Sequence, residues 1–167
     1  SSAASDVYKR QPEVGWNKLI WGLQDTPVLA VEPMKYTNCK RAASMWRNTD
    51  AVASWSWDGC EGNKSDVIVY TTAEYAELFC NGRKVGRSKV NKMKATFKRV
   101  TYEPGELIAK CYDRQGREIG TAKLISATGK SNLKLTAEKN TLNSNGQDLC
   151  YVQVDLVGDN GLSLIHI

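Results

Sequence analysis

The sequence predicts a mainly β protein: a two-sheet β-sandwich, led in by a short helix and a connector and followed by the first strands of a second domain. Three observations carry this. Short apolar, β-rich runs recur every ten or so residues between Ala53 and Ala127, which is the spacing of a sandwich and not of β-α-β units. Turn signals separate those runs. Asn81-Gly82 directly follows Tyr75–Cys80, and a type I′ hairpin needs positive φ at both central residues. Glu103-Pro104-Gly105 marks a second turn, since proline presets φ and glycine takes the next position freely. Finally, 41% hydrophobic and 25% charged residues is ordinary globular composition, so a packed core is expected over disorder.

Taken in order, Glu13–Leu23 places Trp16, Leu19, Ile20 and Leu23 at i, i+3, i+4 and i+7, one face of an amphipathic helix that ends near Gln24-Asp25. Such a stripe fits any helix lying on a sheet. Val28–Val31 reads as one buried strand closed by Glu32-Pro33. Lys35–Thr49 is polar and irregular apart from Met45-Trp46, and reads as a long connector over a surface. Ala53–Trp57 alternates, with Ala53, Trp55 and Trp57 on one side and Ser54 and Ser56 on the other, which predicts a half-exposed strand. Val67–Tyr70, Ala76–Cys80, Lys84–Gly86, Ala95–Val100, Leu107–Tyr112 and Ile119–Ile125 bring the strand count to seven, enough for two sheets.

Gly129-Lys130-Ser131 then marks a boundary. Beyond it, Leu133, Leu135 and Ala137 alternate with Lys134, Thr136 and Glu138, which predicts one dry and one wet face. The turn cluster Asn143-Ser144-Asn145-Gly146 leads to Cys150, Val152, Val154 and Leu156, again alternating with polar residues. Two or three strands cannot close a core alone, so these read as the opening of a further sandwich.

Several function classes are excluded at this level. No apolar run reaches the eighteen or so residues of a membrane span, and no charged-then-apolar leader is present, so neither membrane association nor a signal peptide is expected. The five cysteines (Cys39, Cys60, Cys80, Cys111, Cys150) form no CxxC and are odd in number, which fits buried free thiols better than a metal site or a disulfide framework, and points to a reducing, cytoplasmic-type compartment. No metal or cofactor is expected. Phosphate-cradling and nucleophile-elbow motifs are absent, and the single histidine, His166, falls in a tail that looks foreign to the fold. Net charge is +5, concentrated in eight cations from Arg83 to Arg99 with no acid among them. Nucleic-acid binding would want aromatic interleaving, and only Phe97 is present; cations solvating a sheet edge are the preferred reading, with no nucleic-acid partner.

The order Trp55-Ser-Trp-Asp-Gly-x-Glu-Gly62, then Val67-Ile-Val-Tyr-Thr71, then Ala76-Glu-Leu-Phe-Cys-Asn-Gly-Arg-x-x-Gly86, then Tyr102-Glu-Pro-Gly-Glu-Leu107 resembles glycoside hydrolase family 2. It is similar, more narrowly, to the immunoglobulin-like domain that follows the catalytic barrel in bacterial β-galactosidases. The resemblance runs from Trp16 to Gly161 and implies the following divisions: residues 12–49 as the end of the barrel and its connector, 50–128 as an immunoglobulin-like β-sandwich, and 129–161 as a truncated second immunoglobulin-like domain. Residues 1–11 and 162–167 read as non-native tails. The implied activity is hydrolysis of β-glycosidic bonds, and the implied partner is the catalytic barrel of the parent chain. A retaining glycosidase needs two carboxyl groups about 5–5.5 Å apart, and the family's acid/base glutamate follows an asparagine. No Asn-Glu dipeptide occurs, so no catalytic residue is assigned, and Glu61, Glu74, Glu77, Glu103 and Glu106 read as solvated surface groups. Trp55 and Trp57 are the candidate sugar-contacting residues of an alternative carbohydrate-binding or cell-surface adhesion module. Core filling is the competing and preferred role for both.

Overall fold

The computed structural model of the chain describes residues 12–34, 51–130 and 132–162. The expected connector with Met45-Trp46, Cys39, the first tail and His166 lie outside the described residues. The chain divides into two compact units, one reaching to Ser126 and the other beginning at Ala127.

Helix α1 spans Pro12–Ile20, shorter than the periodicity predicts. Gly22 stops it. At φ 63° it takes the left-handed conformation that closes many helices, and the bonds from Gly22 N–H to Leu19 O and from Leu23 N–H to Lys18 O form the paired Schellman closure. Because the helix ends there, the predicted four-residue stripe splits. Leu19 is buried and Trp16 partly so, against Ala30 and Tyr70, while Ile20 and Leu23 face outward together with Trp21.

Among the described residues seven strands make the sandwich: β1 (Val28–Val31), β2 (Lys64–Tyr70), β3 (Tyr75–Cys80), β4 (Arg83–Lys89), β5 (Lys94–Thr101), β6 (Glu106–Tyr112) and β7 (Glu118–Ile125). They form a three-stranded sheet ordered β1-β2-β5 and a four-stranded sheet ordered β4-β3-β6-β7, antiparallel throughout. The architecture is the mainly β, immunoglobulin-like sandwich the sequence predicts. Asn81 (φ 50°) and Gly82 (φ 76°) adopt the hairpin turn between β3 and β4. Strands β3 and β6 alternate strictly between half-buried and buried residues, so that Ala76, Leu78 and Cys80 meet Leu107, Ala109 and Cys111 on the inner face. Opposite them lie Leu29, Val31, Val67, Val69, Ala95 and Phe97 from the other sheet. Each fully buried leucine here contributes about 2 kcal/mol from removal of apolar surface from water. The outer face of the three-stranded sheet is covered by α1, giving layers of helix, sheet and sheet.

One predicted strand is not a strand. Among the described residues Ala53–Trp57 forms no ladder, and the bridge to the sheet beside it, Val52 to Val31, belongs to the residue before it. The seventh strand is β1 instead. The predicted alternation also fails, because Ser54 and Ser56 are buried along with Trp55. Side chains take the place of a ladder: Ser56 N–H donates to Ser54 Oγ at 3.2 Å, Trp57 N–H donates to the Tyr102 hydroxyl at 3.1 Å, and Ser126 Oγ–H donates to Trp55 O. A segment whose backbone is satisfied this way can be buried without being paired.

The second unit contains β8 (Asn132–Ala137) and β9 (Val152–Val157), paired antiparallel with Leu133 opposite Leu156 and Leu135 opposite Val154. The predicted dry face is not dry. Every residue of β8 is exposed, Leu135 to 66%, and Val152 and Val154 across from it are exposed too. Among the described residues no second layer lies over this pair.

Candidate functional site

Trp55 sits at the centre of the sandwich with 0% of its surface exposed. Its indole packs edge-on against Tyr102 at 4.9 Å between ring centroids, and its Nε1–H donates to Glu103 O at 3.0 Å. It has no face on which a sugar ring could lie. Trp57 is half-buried and packs against the same core. Its Nε1 is buried with no hydrogen-bond partner among the described residues. The two tryptophans that alternate in the sequence therefore do not form a shared surface platform.

The carboxylates are dispersed over the surface of the sandwich, and most are held by cations. Glu77 pairs with Lys84 at 2.6 Å, Glu103 with Arg83 at 2.6 Å, Glu74 with Lys89 at 3.7 Å, and Glu106 with Lys123. Glu61 is exposed in a turn. Among the described residues no three His, Cys, Asp or Glu side chains converge in a way that could hold a metal ion. Cys80 and Cys111 are buried free thiols, and burial pushes both thiols up from their ordinary range, with the charge of Glu103 adding to the effect at Cys80. A thiol held protonated in this way is a poor nucleophile.

The cations of Arg83–Arg99 are spread over two strands and the turn between them, and acids from elsewhere in the fold meet several of them. Lys98 pairs with Asp66 at 2.6 Å, Arg87 lies 3.6 Å over the Tyr75 ring, and Lys94 lies 4.3 Å over the Trp16 ring. Where β4 and β5 face each other they leave a groove of about 330 Å³. Its floor is Cys80 and Val100, and its rim carries Arg83, Lys84, Lys98 and Arg99. What this arrangement can do is hold an anion; it offers no acid and base pair for bond cleavage. Sequence reasoning found the cations but not their grouping, because the grouping depends on how strands of two different sheets face each other and on the register within each sheet.

Comparison with known proteins agrees with the resemblance read from the motifs. Residues 62–120 match the model of a domain of unknown function, DUF4982. A β-galactosidase of Bacteroides ovatus, BoGH2A, is 31% identical over 111 residues, which cover 64% of this chain and 12% of that protein. The crystal structure of a glycosyl hydrolase family 2 member from Bacteroides cellulosilyticus aligns over 92% of this chain and 20% of its own length, at 30% identity and a TM-score of 0.68. A family 2 β-glucuronidase structure shares the fold at 18% identity, with a TM-score of 0.60 over 90% of this chain and 14% of its own. The chain thus spans between an eighth and a fifth of these relatives' length. Motif order, the matched domain and relatives sharing three residues in ten place it in one family: the chain belongs to glycoside hydrolase family 2, and its sandwich is an immunoglobulin-like module of that family.

Proposed function

We propose that this chain is an accessory, non-catalytic part of a β-galactosidase-type enzyme that hydrolyses β-glycosidic bonds, and that it braces the enzyme's catalytic barrel. The observation that carries the reading is the state of the carboxylates. The glutamates that ion-pair do so with surface cations, Glu74 with both Lys89 and Arg114, whereas glycosidic cleavage calls for two carboxyl groups facing each other across one bond. The 31% identity to a protein named as a β-galactosidase supports the choice of parent activity. Trp21 and Leu23, exposed to 77% and 74% just past α1, are the apolar surface suited to the barrel. The alternative of a carbohydrate-binding or adhesion module is less well supported, since Trp55 is sealed in the core.

The test is hydrolysis of an aryl β-galactoside by the 167-residue polypeptide. No turnover above a buffer blank is expected. Turnover that disappears in Glu77→Gln or Glu103→Gln would place chemistry in this chain and overturn the proposal.

A further inference from the structure

β4 and β5 are the end strands of their two sheets, so the groove between them lies along an open side of the sandwich. Each strand is bulged at the groove. On β4, Leu78 faces Gly86 and Phe79 faces Lys84, which leaves Val85 as an extra residue. On β5, Ser65 pairs with Val100 and Val67 with Phe97, so Lys98 and Arg99 together stand opposite the single residue Asp66. Asp66 holds that second bulge, accepting from Lys98 Nζ at 2.6 Å and from Arg99 N–H at 3.0 Å. Arg99 has φ 53°, an uncommon conformation for a residue with a side chain. The bulge breaks the alternation of β5, so two consecutive cations are exposed where a regular strand would turn one of them inward.

We propose that this bulged groove binds an acidic, extended segment of a partner protein, with Arg99 as its principal carboxylate contact. Charge complementarity selects an anion: four cations rim the groove, and Glu103 is the one acid among its lining residues. Three of those cations are engaged within the sandwich, Arg83 by Glu103, Lys84 by Glu77 and Lys98 by Asp66. The Arg99 backbone is held by Asp66, but its guanidinium forms no ion pair within 4 Å among the described residues, and that planar fork suits a carboxylate. The floor selects among anions. Cys80 and Val100 are small, and among the described residues no aromatic ring lines the groove, so neither a sugar ring nor a nucleobase finds a face to stack on there. Cations exposed to about 70%, such as Arg83 and Lys98, form exchangeable contacts, which fits a separate partner better than a permanent intramolecular one.

The experiment is fluorescence anisotropy of a labelled peptide of alternating glutamate and valine, titrated with the 167-residue chain. Saturable binding is expected at about 20 mM salt, weakening roughly tenfold at about 200 mM as rim charges are screened. Arg83→Glu combined with Arg99→Glu should weaken it at least about tenfold, and Arg99→Asn several-fold, because asparagine tolerates the left-handed backbone while removing the charge. Lys123→Glu, on the opposite edge strand, should leave it unchanged, and thermal melts should show each variant folded. Three results overturn the proposal: no saturable binding at low salt, affinity unaffected by Arg99→Asn, or tighter binding of oligo-dT or hyaluronan than of the peptide.

Discussion

β3 and β8 are both six residues long and both carry apolar side chains at every second position (Ala76, Leu78 and Cys80; Leu133, Leu135 and Ala137), yet these end in opposite states. In β3 every second residue is buried; in β8 all six are exposed. Their neighbours make the difference. β3 is paired on both sides within a four-stranded sheet and faced by a second sheet, whereas among the described residues β8 has β9 alone. Alternation in sequence assigns a side chain to a face, and only an opposing layer decides whether that face leaves water.

The largest expected effect tests that contrast directly. Trp55→Ala removes the centre of the sandwich core, its contact with Tyr102 and its hydrogen bond to Glu103 O, and should cost about 3–5 kcal/mol in urea unfolding. Leu135→Ala removes a large apolar side chain from an uncovered face and should cost less than about 0.5 kcal/mol. A penalty for Leu135→Ala close to that for Trp55→Ala would show that the β8–β9 face is covered after all.

Two glycines extend the comparison to turns. Gly105 (φ 132°) lies against Asn81, whose Oδ1 accepts from Glu106 N–H at 2.8 Å and whose Nδ2 donates to Pro104 O at 3.1 Å. A Cβ on Gly105 would overlap that Asn81 side chain, so Gly105→Ala combines backbone strain with loss of the clamp, about 2–3 kcal/mol in all. Gly146 (φ 71°), between β8 and β9, has open space around it, and Gly146→Ala should cost only the backbone penalty of about 1 kcal/mol. Thermal melts of both variants with Asn81→Ala as a third check the assignment: on the Asn81→Ala background, Gly105→Ala should cost markedly less.

What could be read from the sequence follows the same division. The strands of the sandwich, the Asn81-Gly82 turn and the buried places of Cys80 and Cys111 rest on local signals, and the structure has them. Ala53–Trp57 was illegible because its burial depends on Tyr102 and Ser126, about fifty and seventy residues away. The end of α1 was legible in principle, since Gly22 is a stop signal that the apolar period through Leu23 outweighed. The groove was only half legible. Its cations stand in a row in the sequence, but the two bulges that bring Val85 and Arg99 to one place exist only once strand register is known.

The smallest effect contrasts two aspartates that organise turns in the two units. Asp113 accepts from Gln115 N–H and Arg117 N–H, both at 2.9 Å, and pairs with the Arg117 guanidinium at 2.8 Å. Asp148 accepts from Asn143 N–H at 3.0 Å and from Lys139 Nζ at 2.6 Å. Backbone donors, foremost Arg117 N–H for the first and Asn143 N–H for the second, hold both carboxyls below the ordinary aspartate range. A depressed folded-state pKa stabilises at pH above the unfolded value of about 3.9, and the gain is lost as pH falls through the lower folded value. Amide shifts of Arg117 and Asn143 followed by NMR from pH 6 downward should therefore move only below about pH 4. Acid should act on the units separately: Asp113→Asn should flatten the acid dependence of sandwich melting, while Asp148→Asn leaves it unchanged and alters only the β8–β9 turn. A change in sandwich melting with Asp148→Asn would mean that the second unit contributes to the first one's stability, contrary to the division drawn between them.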